Sequence, residues 1–257
     1  MAYFERLDET TFRATEHTSG AWELEHQHVA PALGLLTHLV ERDRDARRDD
    51  GLVPTRLAFD ILGVMPVDEL VGTVRVVRPG RTVELVEATL QHAGRDAVVL
   101  RAWLMQPGET AGVAGTDLPA MPGPDDTPPW AAADFWQGGL IATTEVRRTS
   151  HGPGRGHVWV RAQEPLLADE PVGPLAATAG LLDVANGMSV RVDPREVRFP
   201  NVDLAAHLFR QPAGDWVGFD TTVSLGTHGV GLTSSVLHDV HGPLGTLAQS
   251  LTVRPVA

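Results

Sequence analysis

The sequence predicts an α+β fold in which two copies of a helix-plus-antiparallel-sheet unit pack against each other as an intrachain pseudo-dimer. Three observations lead to this prediction: a helix that is apolar on most of its sides, a series of β-rich segments joined by short turns, and an internal repeat. A helix without a broad polar face must be covered by other structure, and a layer of neighbouring antiparallel strands can provide that cover.

The first helix is predicted between about His28 and Arg42, where apolar residues leave almost no polar face. Pro31 is compatible with this helix because it falls in the first turn, where a missing N–H does no damage. The stretch that follows, residues 41–51, mixes acidic and basic side chains. We interpret it as a solvated loop that leaves the helix.

Valine, threonine and leucine are enriched in segments bounded by turn residues, which is typical of antiparallel strands. Two short strands are predicted around Phe4 and Phe12. Longer strands are predicted, in chain order, over residues 57–64, 70–78, 82–92, 97–105, 141–147, 156–161, 202–210, 216–225, 231–238 and 244–253. A second helix is predicted over residues 174–186, with Gly187 placed to end it.

A proline-rich stretch, residues 107–134, separates the two series of elements. It contains six prolines, which is too many for a central strand or a helix. We therefore predict an N-terminal unit over residues 1–106, a linker over residues 107–134 and a C-terminal unit over residues 135–257.

The two units are related by an internal repeat. Comparison of the chain with itself gives one useful offset, 180 − 34 = 146, which aligns residues 32–37 with residues 178–183 without a gap. Helix then matches helix, and strands match strands. A long apolar helix wrapped by a curved antiparallel sheet is the hotdog arrangement, so the repeat predicts a double hotdog.

Composition limits the class of protein. The chain has 257 residues, 42% of them hydrophobic, which is enough for a packed core. Its net charge of −12 excludes an overall electrostatic footprint for nucleic acid. No cysteine is present, and no apolar run approaches the length of a signal peptide or a membrane span. We therefore expect a cytoplasmic protein without a membrane span.

Asp183 and Gln249 are the first candidates for a functional site, because each is a polar residue within an otherwise apolar element. A carboxylate on so apolar a helix is costly to bury unless it is hydrogen-bonded or reached by water. The offset of 146 aligns Asp183 with Thr37 and Gln249 with Trp103. Only the second unit therefore provides a potential base. The same pattern also fits an Asp183 that reaches solvent near the end of the helix and has no catalytic role.

A third candidate segment follows Phe199. Asn201, Asp203 and His207 are predicted to lie on one face of a strand, because side chains alternate between the two faces. That face is either the wall of a pocket or a solvated edge.

Eleven histidines invite the hypothesis of a metal site, but the pair His26 and His28 is not followed by a third ligand at a suitable spacing. The sequence contains neither a G-x-S-x-G nucleophile motif nor a glycine-rich phosphate loop. We expect no metal and no cofactor.

Two motifs carry a resemblance to a known family: Val-Arg-Pro-Gly-Arg at residues 77–81, and Asn-x-Asp-Leu-x-x-His-Leu at residues 201–208. With the helix patterns, they make almost the whole chain resemble the type II acyl-CoA thioesterase family, in its actinobacterial branch. The resemblance implies that Asp183, Asn201 and Gln249 orient and activate a water that attacks the thioester carbonyl. The family has threonine or serine where Asn201 stands.

The resemblance also suggests which residues contact the substrate. We expect His28 and Thr37 on the first helix, and Asp203 and His207 on the strand of the second motif, to do so. The start of the first helix reads His28-Val29-Ala30-Pro31, where the family usually has a pair of glycines. A helix N-terminus is a natural donor site for an oxyanion.

The expected function is hydrolysis of acyl-CoA thioesters, with acyl-CoA as the partner molecule and a homodimer as a plausible assembly. The anionic CoA end could contact Arg75, Arg78 and Arg81. It is equally consistent with the sequence that these arginines are ordinary surface residues. Two alternatives stay open: an acyl-CoA- or lipid-binding protein without turnover, and an enoyl-CoA hydratase or dehydratase. A hydratase or dehydratase would use Asp203 and His207 as its catalytic pair, but the Gly-Asp-x-Asn-Pro-x-His pattern of that class is missing from the sequence.

Overall fold

The computed structural model describes residues 1–256 and divides them into two successive sets of elements. The first set consists of β1 (Phe4–Arg6), β2 (Thr11–Ala14), α1 (Val29–Arg47), β3 (Val53–Ile61), β4 (Glu69–Arg78), β5 (Val83–His92) and β6 (Arg95–Met105). The second consists of α2 (Gly139–Ala142), β7 (Thr144–Ser150), β8 (Arg155–Ala162), α3 (Pro174–Ala179), α4 (Ala185–Met188), β9 (Val197–Arg198), β10 (Asp203–Leu208), β11 (Val217–Leu225), β12 (Val230–Asp239), β13 (Gly242–Thr252) and β14 (Arg254–Pro255).

Twelve of these strands form one antiparallel sheet, in the order β1-β2-β4-β5-β6-β3-β10-β13-β12-β11-β8-β7. The two halves join where β3 pairs with β10, with Phe59 opposite Leu204. The helices cover one face of this sheet, and α1 packs against β4, β5 and β6. The predicted double hotdog, with two helix-plus-sheet units in an intrachain pseudo-dimer, is confirmed.

The two central helices meet where Gly34 of α1 faces Gly180, the residue after α3. A Cβ atom on Gly34 would lie 2.8 Å from the Gly180 Cα and 2.9 Å from the Ala176 carbonyl oxygen. Real Cβ atoms do not approach backbone this closely, so only glycine at position 34 permits this crossing. The contact joins two residues that the repeat predicted to be equivalent.

Residues 41–47 of the charged stretch are helical, so the interpretation of this part as a loop was wrong, whereas residues 48–51 connect α1 to β3 as predicted. The helix continues to Arg47, which donates to the carboxylates of Asp43 and Glu84. Arg48 donates to Glu84 as well, and the Glu84 side chain is buried. The mixed charges therefore extend α1 and attach its C-terminal end to β5.

The second helix is interrupted, whereas the sequence predicted one helix over residues 174–186. α3 ends at Ala179, a single 3₁₀ turn covers Leu182–Val184, and α4 follows. The break comes at Gly180, where the chain passes against α1. Residues 141 and 142 also differ from the prediction, because they belong to α2 rather than to the start of a strand.

The repeat has an offset of 147 in the sheet, one residue more than the sequence alignment predicted. The β5–β6 hairpin closes with His92 opposite Arg95, and the β12–β13 hairpin closes with Asp239 opposite Gly242, so 239 − 92 = 147. The structural counterpart of Gln249 is therefore Ala102, whose side chain is also buried, and not Trp103.

The proline-rich stretch between β6 and α2 contains only short 3₁₀ turns and lies on the second half of the sheet. Trp159 donates from its indole N–H to the Pro122 carbonyl oxygen at 2.8 Å, and His238 Nε2 lies 2.9 Å from the Pro119 carbonyl oxygen. Within residues 1–256, the structure contains no helix long and apolar enough to cross a membrane.

Candidate active site

A cavity of about 290 Å³ lies where the N-terminus of α1 meets the interrupted second helix. Its wall is mostly apolar and includes the end of β3 with the segment that follows, residues 61–65, and the segment before β10, residues 199–201. The polar side chains on this wall are Gln27, His28, Asp183, Asn186 and Asn201. An apolar pocket with a few converging polar groups is the usual form of a small-molecule site.

Asp183 is the acid among the residues that line this cavity, and only 5% of its surface is exposed. Its Oδ1 atom accepts hydrogen bonds from Asn201 Nδ2 at 2.6 Å and from Gln249 Nε2 at 3.2 Å. Burial disfavours the charged carboxylate and raises the pKa of Asp183 to about 7, although the two amide donors act in the opposite direction. Such a pKa suits a group that exchanges protons near neutral pH.

Asn201 reaches Asp183 because the chain bends at Val202, directly before β10. Asp203 and His207 follow the regular alternation of β10 and point away from the buried Leu204 and Ala206. The prediction that Asn201, Asp203 and His207 share one face was therefore wrong. The bend breaks the alternation and turns only Asn201 towards the second helix.

Gln249 reaches Asp183 from β13, and its side chain is fully buried. Leu247 and Leu251, two positions away on either side, are buried as well, so the glutamine belongs to the inner face of the strand. Its Nε2 donates to Asp183, while its Oε1 is buried without a partner among the described residues. A buried amide oxygen of this kind is suited to accept from a water or a ligand.

His28 stands beside Asp183 at the start of α1. Its Nδ1 accepts the Ala30 N–H at 3.2 Å, which caps the helix and leaves the ring proton on Nε2. Burial lowers the pKa of His28 to about 4, so the ring is neutral at pH 7. The 3.6 Å separation of His28 Nδ1 from Asp183 Oδ2 is therefore not an ion pair.

At the N-terminus of α1, one backbone N–H without an acceptor among the described residues belongs to a residue of the cavity wall. The His28 N–H donates to the Thr18 carbonyl oxygen, the Ala30 N–H is capped, and Pro31 has no N–H. The first N–H groups of a helix have no acceptor within the helix. Of these groups, the N–H of Val29, a residue of the cavity wall, is the one that can still donate to a ligand. Sequence reasoning missed Val29, although Pro31 and the capping histidine were visible signals.

Three aromatic rings close one side of the cavity. Trp22 makes edge-to-face contacts with Trp136 and with Phe199, at centroid distances of 5.2 and 5.4 Å. The Trp136 indole N–H donates to the Gly187 carbonyl oxygen at 2.8 Å, which fixes the ring against the second helix. The sequence analysis did not assign these rings to the site, because they lie far apart along the chain and no local pattern joins them.

Comparison with known proteins identifies the family. Residues 18–105 match the acyl-CoA thioesterase N-terminal domain, and residues 116–253 match the acyl-CoA thioesterase C-terminal domain. The chain belongs to the acyl-CoA thioesterase family. No curated protein matches it in sequence.

Solved structures resemble this thioesterase-family chain along its whole length. Acyl-CoA thioesterase II TesB2 from Mycobacterium marinum has a TM-score of 0.70 at 19% identity, covering 99% of this chain and 96% of that one. A hot dog-fold protein of unknown function from Alicyclobacillus acidocaldarius has a TM-score of 0.74 at 17% identity, covering 98% and 95%. At these identities, the likeness shows a common fold.

The remaining residues that the family resemblance suggested lie outside the cavity. Thr37 is fully buried in α1, where its hydroxyl donates to the Leu33 carbonyl oxygen at 2.8 Å. Asp203 accepts the Ser250 N–H, and His207 is exposed on the outer face of β10. The structure thus brings together His28, Asp183, Asn201 and Gln249, and it places the other three elsewhere.

Two of the three arginines suggested for the CoA end, Arg75 and Arg78, contact other side chains of the sheet. Arg75 donates to Glu87, and the Arg78 guanidinium lies over the Trp103 ring. Trp103 pairs with the first half of β3, whereas the cavity includes Ile61 at the end of that strand. Among the described residues, no group of three or more His, Cys, Asp or Glu is arranged to hold a metal ion.

Proposed function

We propose that the protein hydrolyses acyl-CoA thioesters to a carboxylic acid and CoA, with Asp183 as the general base. The observation that carries the proposal is a buried carboxylate with a pKa of about 7, held by two amides beside a helix N-terminus. At pH 7 such a group is present in both protonation states, so it can take a proton from water and return it.

In the proposed reaction, Asp183 Oδ2 accepts a proton from a water as that water attacks the thioester carbonyl carbon. Oδ1 already accepts from Asn201 and Gln249, so the amides hold the carboxylate and leave Oδ2 for the water. The buried Gln249 Oε1 is a second acceptor that helps to orient it. The Asn201 amide thus positions the Asp183 carboxylate, at the place where the family has a threonine or serine hydroxyl.

The negative charge that develops on the carbonyl oxygen needs donors. The Val29 N–H at the start of α1 and the Nε2–H of neutral His28 are the groups available on the cavity wall. Collapse of the tetrahedral intermediate breaks the C–S bond, and the proton held by Asp183 passes to the departing thiolate. The acyl group lies against the apolar wall that includes Trp22, Trp136 and Phe199.

The test is thiol release from a panel of short- to long-chain acyl-CoAs by the unmodified protein and by Asp183→Asn. The asparagine keeps the size of the side chain and an oxygen that accepts from both amides, so folding should persist. We expect kcat to fall by about 10²–10⁴, the usual contribution of a general base. Asp60→Asn, which alters an exposed acid of β3, is the matched control and should leave kcat unchanged.

Two outcomes would contradict the proposal. Equal turnover by the Asp183→Asn variant would remove Asp183 from the reaction. Tight binding of acyl-CoA without thiol release by the unmodified protein would identify a binding protein instead.

A further inference from the structure

A second depression, here called the arginine groove, adjoins the candidate active site. It has a volume of about 510 Å³ and shares Ala21, Trp22 and Trp136 with the wall of the cavity. Asp134, Phe135, Arg195 and Arg198 also line it. A ligand seated in the cavity therefore has this groove directly beyond the Trp22 and Trp136 rings.

Two arginines on this wall are freely accessible. The side chain of Arg195 is 83% exposed and that of Arg198 is 52% exposed. In the β9–β14 pair, Arg198 stands directly opposite Arg254, which is also exposed. The Arg254 guanidinium donates to the carbonyl oxygens of Gly229 and Val253, so Arg254 is not one of the groove's donors.

Each of these arginines is paired with an acid at the protein surface. Arg198 Nη2 donates to Glu23 Oε1 at 3.1 Å, and Arg195 donates to both oxygens of the Asp193 carboxylate, from Nε at 3.0 Å and from Nη2 at 2.6 Å. Exposed pairs of this kind contribute about 0–1 kcal/mol, so either guanidinium can exchange its carboxylate for a better acceptor. A phosphate is such an acceptor, because the planar guanidinium donates two parallel hydrogen bonds to it. A phosphate has to displace these carboxylates, because Glu23, Asp193 and Asp134 together outnumber the two arginines of the groove.

The groove also presents an aromatic ring. Phe135 is 38% exposed, and it is held between Trp130 and Trp136 at centroid distances of 6.1 and 5.7 Å. A partly exposed ring with fixed neighbours is a stacking surface, and stacking of a nucleobase on an aromatic side chain contributes about 1–3 kcal/mol. Phosphate donors and a stacking ring thus lie together beside the acyl cavity.

We propose that the arginine groove binds the nucleotide end of CoA, with Arg195 and Arg198 on the phosphates and Phe135 against the adenine ring. This inference rests on the proposed function, because it assigns the leaving-group end of the same substrate. It also replaces Arg75, Arg78 and Arg81 in that role.

The experiment compares two thioesters of the same acyl group, one with CoA and one with N-acetylcysteamine, which lacks the nucleotide. In the double variant Arg195→Glu/Arg198→Glu, we expect KM for the acyl-CoA to rise at least tenfold while kcat stays unchanged. KM for the N-acetylcysteamine thioester should not change. Arg191→Glu, an exposed arginine of the same segment outside the groove, is the matched control and should match the unmodified protein with both substrates.

An unchanged KM for acyl-CoA in the double variant would overturn the inference while leaving the hydrolysis proposal intact. If the unmodified protein hydrolyses neither thioester, the proposed reaction fails, and the groove is then judged by calorimetric titration with CoA. In that case binding by the unmodified protein, weakened at least tenfold in the double variant, supports the groove. Absence of binding, or equal binding by both proteins, refutes it.

Discussion

The two halves of the molecule have the same architecture but differ in the continuity of the central helix. In the first half, α1 is unbroken over 19 residues and places Thr37 in an apolar interior, where its hydroxyl is satisfied within the helix. In the second half, the helix breaks after Ala179 and places Asp183 beside two amides. A duplicated scaffold can thus keep its packing in both copies while only one of them assembles a polar cluster.

The two halves of the sheet differ in the same way as the two central helices. Gln249 on β13 has Ala102 on β6 as its counterpart, and both side chains are buried. The methyl group of Ala102 completes an apolar layer, whereas the Gln249 amide needs Asp183 as an acceptor. A large loss of kcat on substitution of Gln249 would therefore assign the activity to the second half.

After Asp183→Asn, the largest effect is expected for Gln249→Leu. The substitution removes a hydrogen bond to a charged group, which is worth about 1.5–3 kcal/mol, or roughly a 10–100-fold loss in kcat. Because the amide lowers the pKa of Asp183, the acidic limb of the kcat/KM profile should also shift to higher pH. Thr37→Val in the first half is the matched change. A similar loss in that variant would show that both halves contribute.

The next effect tests the helix crossing. Gly34→Ala drives a methyl group into the backbone at Gly180 and Ala176, and such overpacking costs about 1–3 kcal/mol. In Gly180→Ala, the nearest atom to the new Cβ is 3.4 Å away, so the methyl group fits. Thermal unfolding of both variants measures the difference. Equal losses of stability would show that the two glycines have equivalent surroundings after all.

A smaller effect concerns the pH dependence of stability. The pKa of Asp183 is raised to about 7 in the folded state from an ordinary value of 3.8. Between these values, the folded protein holds a proton that the unfolded chain has released, so this residue's contribution to stability falls as pH rises from about 4 to about 7. Asp183→Asn should therefore raise Tm by a few degrees at pH 8 and by almost nothing at pH 4. A Tm gain that is independent of pH would contradict the assigned pKa.

The smallest effect is expected for His207→Ala. The ring is exposed on the outer face of β10 and is absent from the wall of the cavity. We expect kcat and KM for acyl-CoA to stay within twofold of the unmodified values. A tenfold loss would mean that the outer face of the sheet takes part in catalysis, as the sequence motif suggested.

Much of the fold could be predicted from local patterns. Alternating β-branched residues and the apolar stretch of α1 depend on neighbouring residues only, so they can be recognised along the chain. The charged end of α1 was assigned wrongly because mixed charge is compatible with a loop until Glu84 on a distant strand provides a partner. The division into residues 1–106, 107–134 and 135–257 stays a prediction, since the twelve strands form one continuous sheet.

The candidate site was predicted in part. Asp183 and Gln249 stood out because each is a polar residue among apolar neighbours, and the structure brings them within 3.2 Å of each other. Asn201 joins them through a bend that no alternation rule anticipates. Their catalytic roles stay a prediction that the thiol-release experiment will test.

The sequence by itself determined that two helix-plus-sheet units exist and that only the second helix carries an acid at the matching position. Tertiary structure decided the rest. The one-residue difference in the repeat, the neutral state of His28 and the raised pKa of Asp183 all depend on atoms that lie far apart along the chain. Hydrophobic periodicity is a property of neighbours, whereas desolvation and hydrogen bonding depend on which distant segments the folded chain brings together.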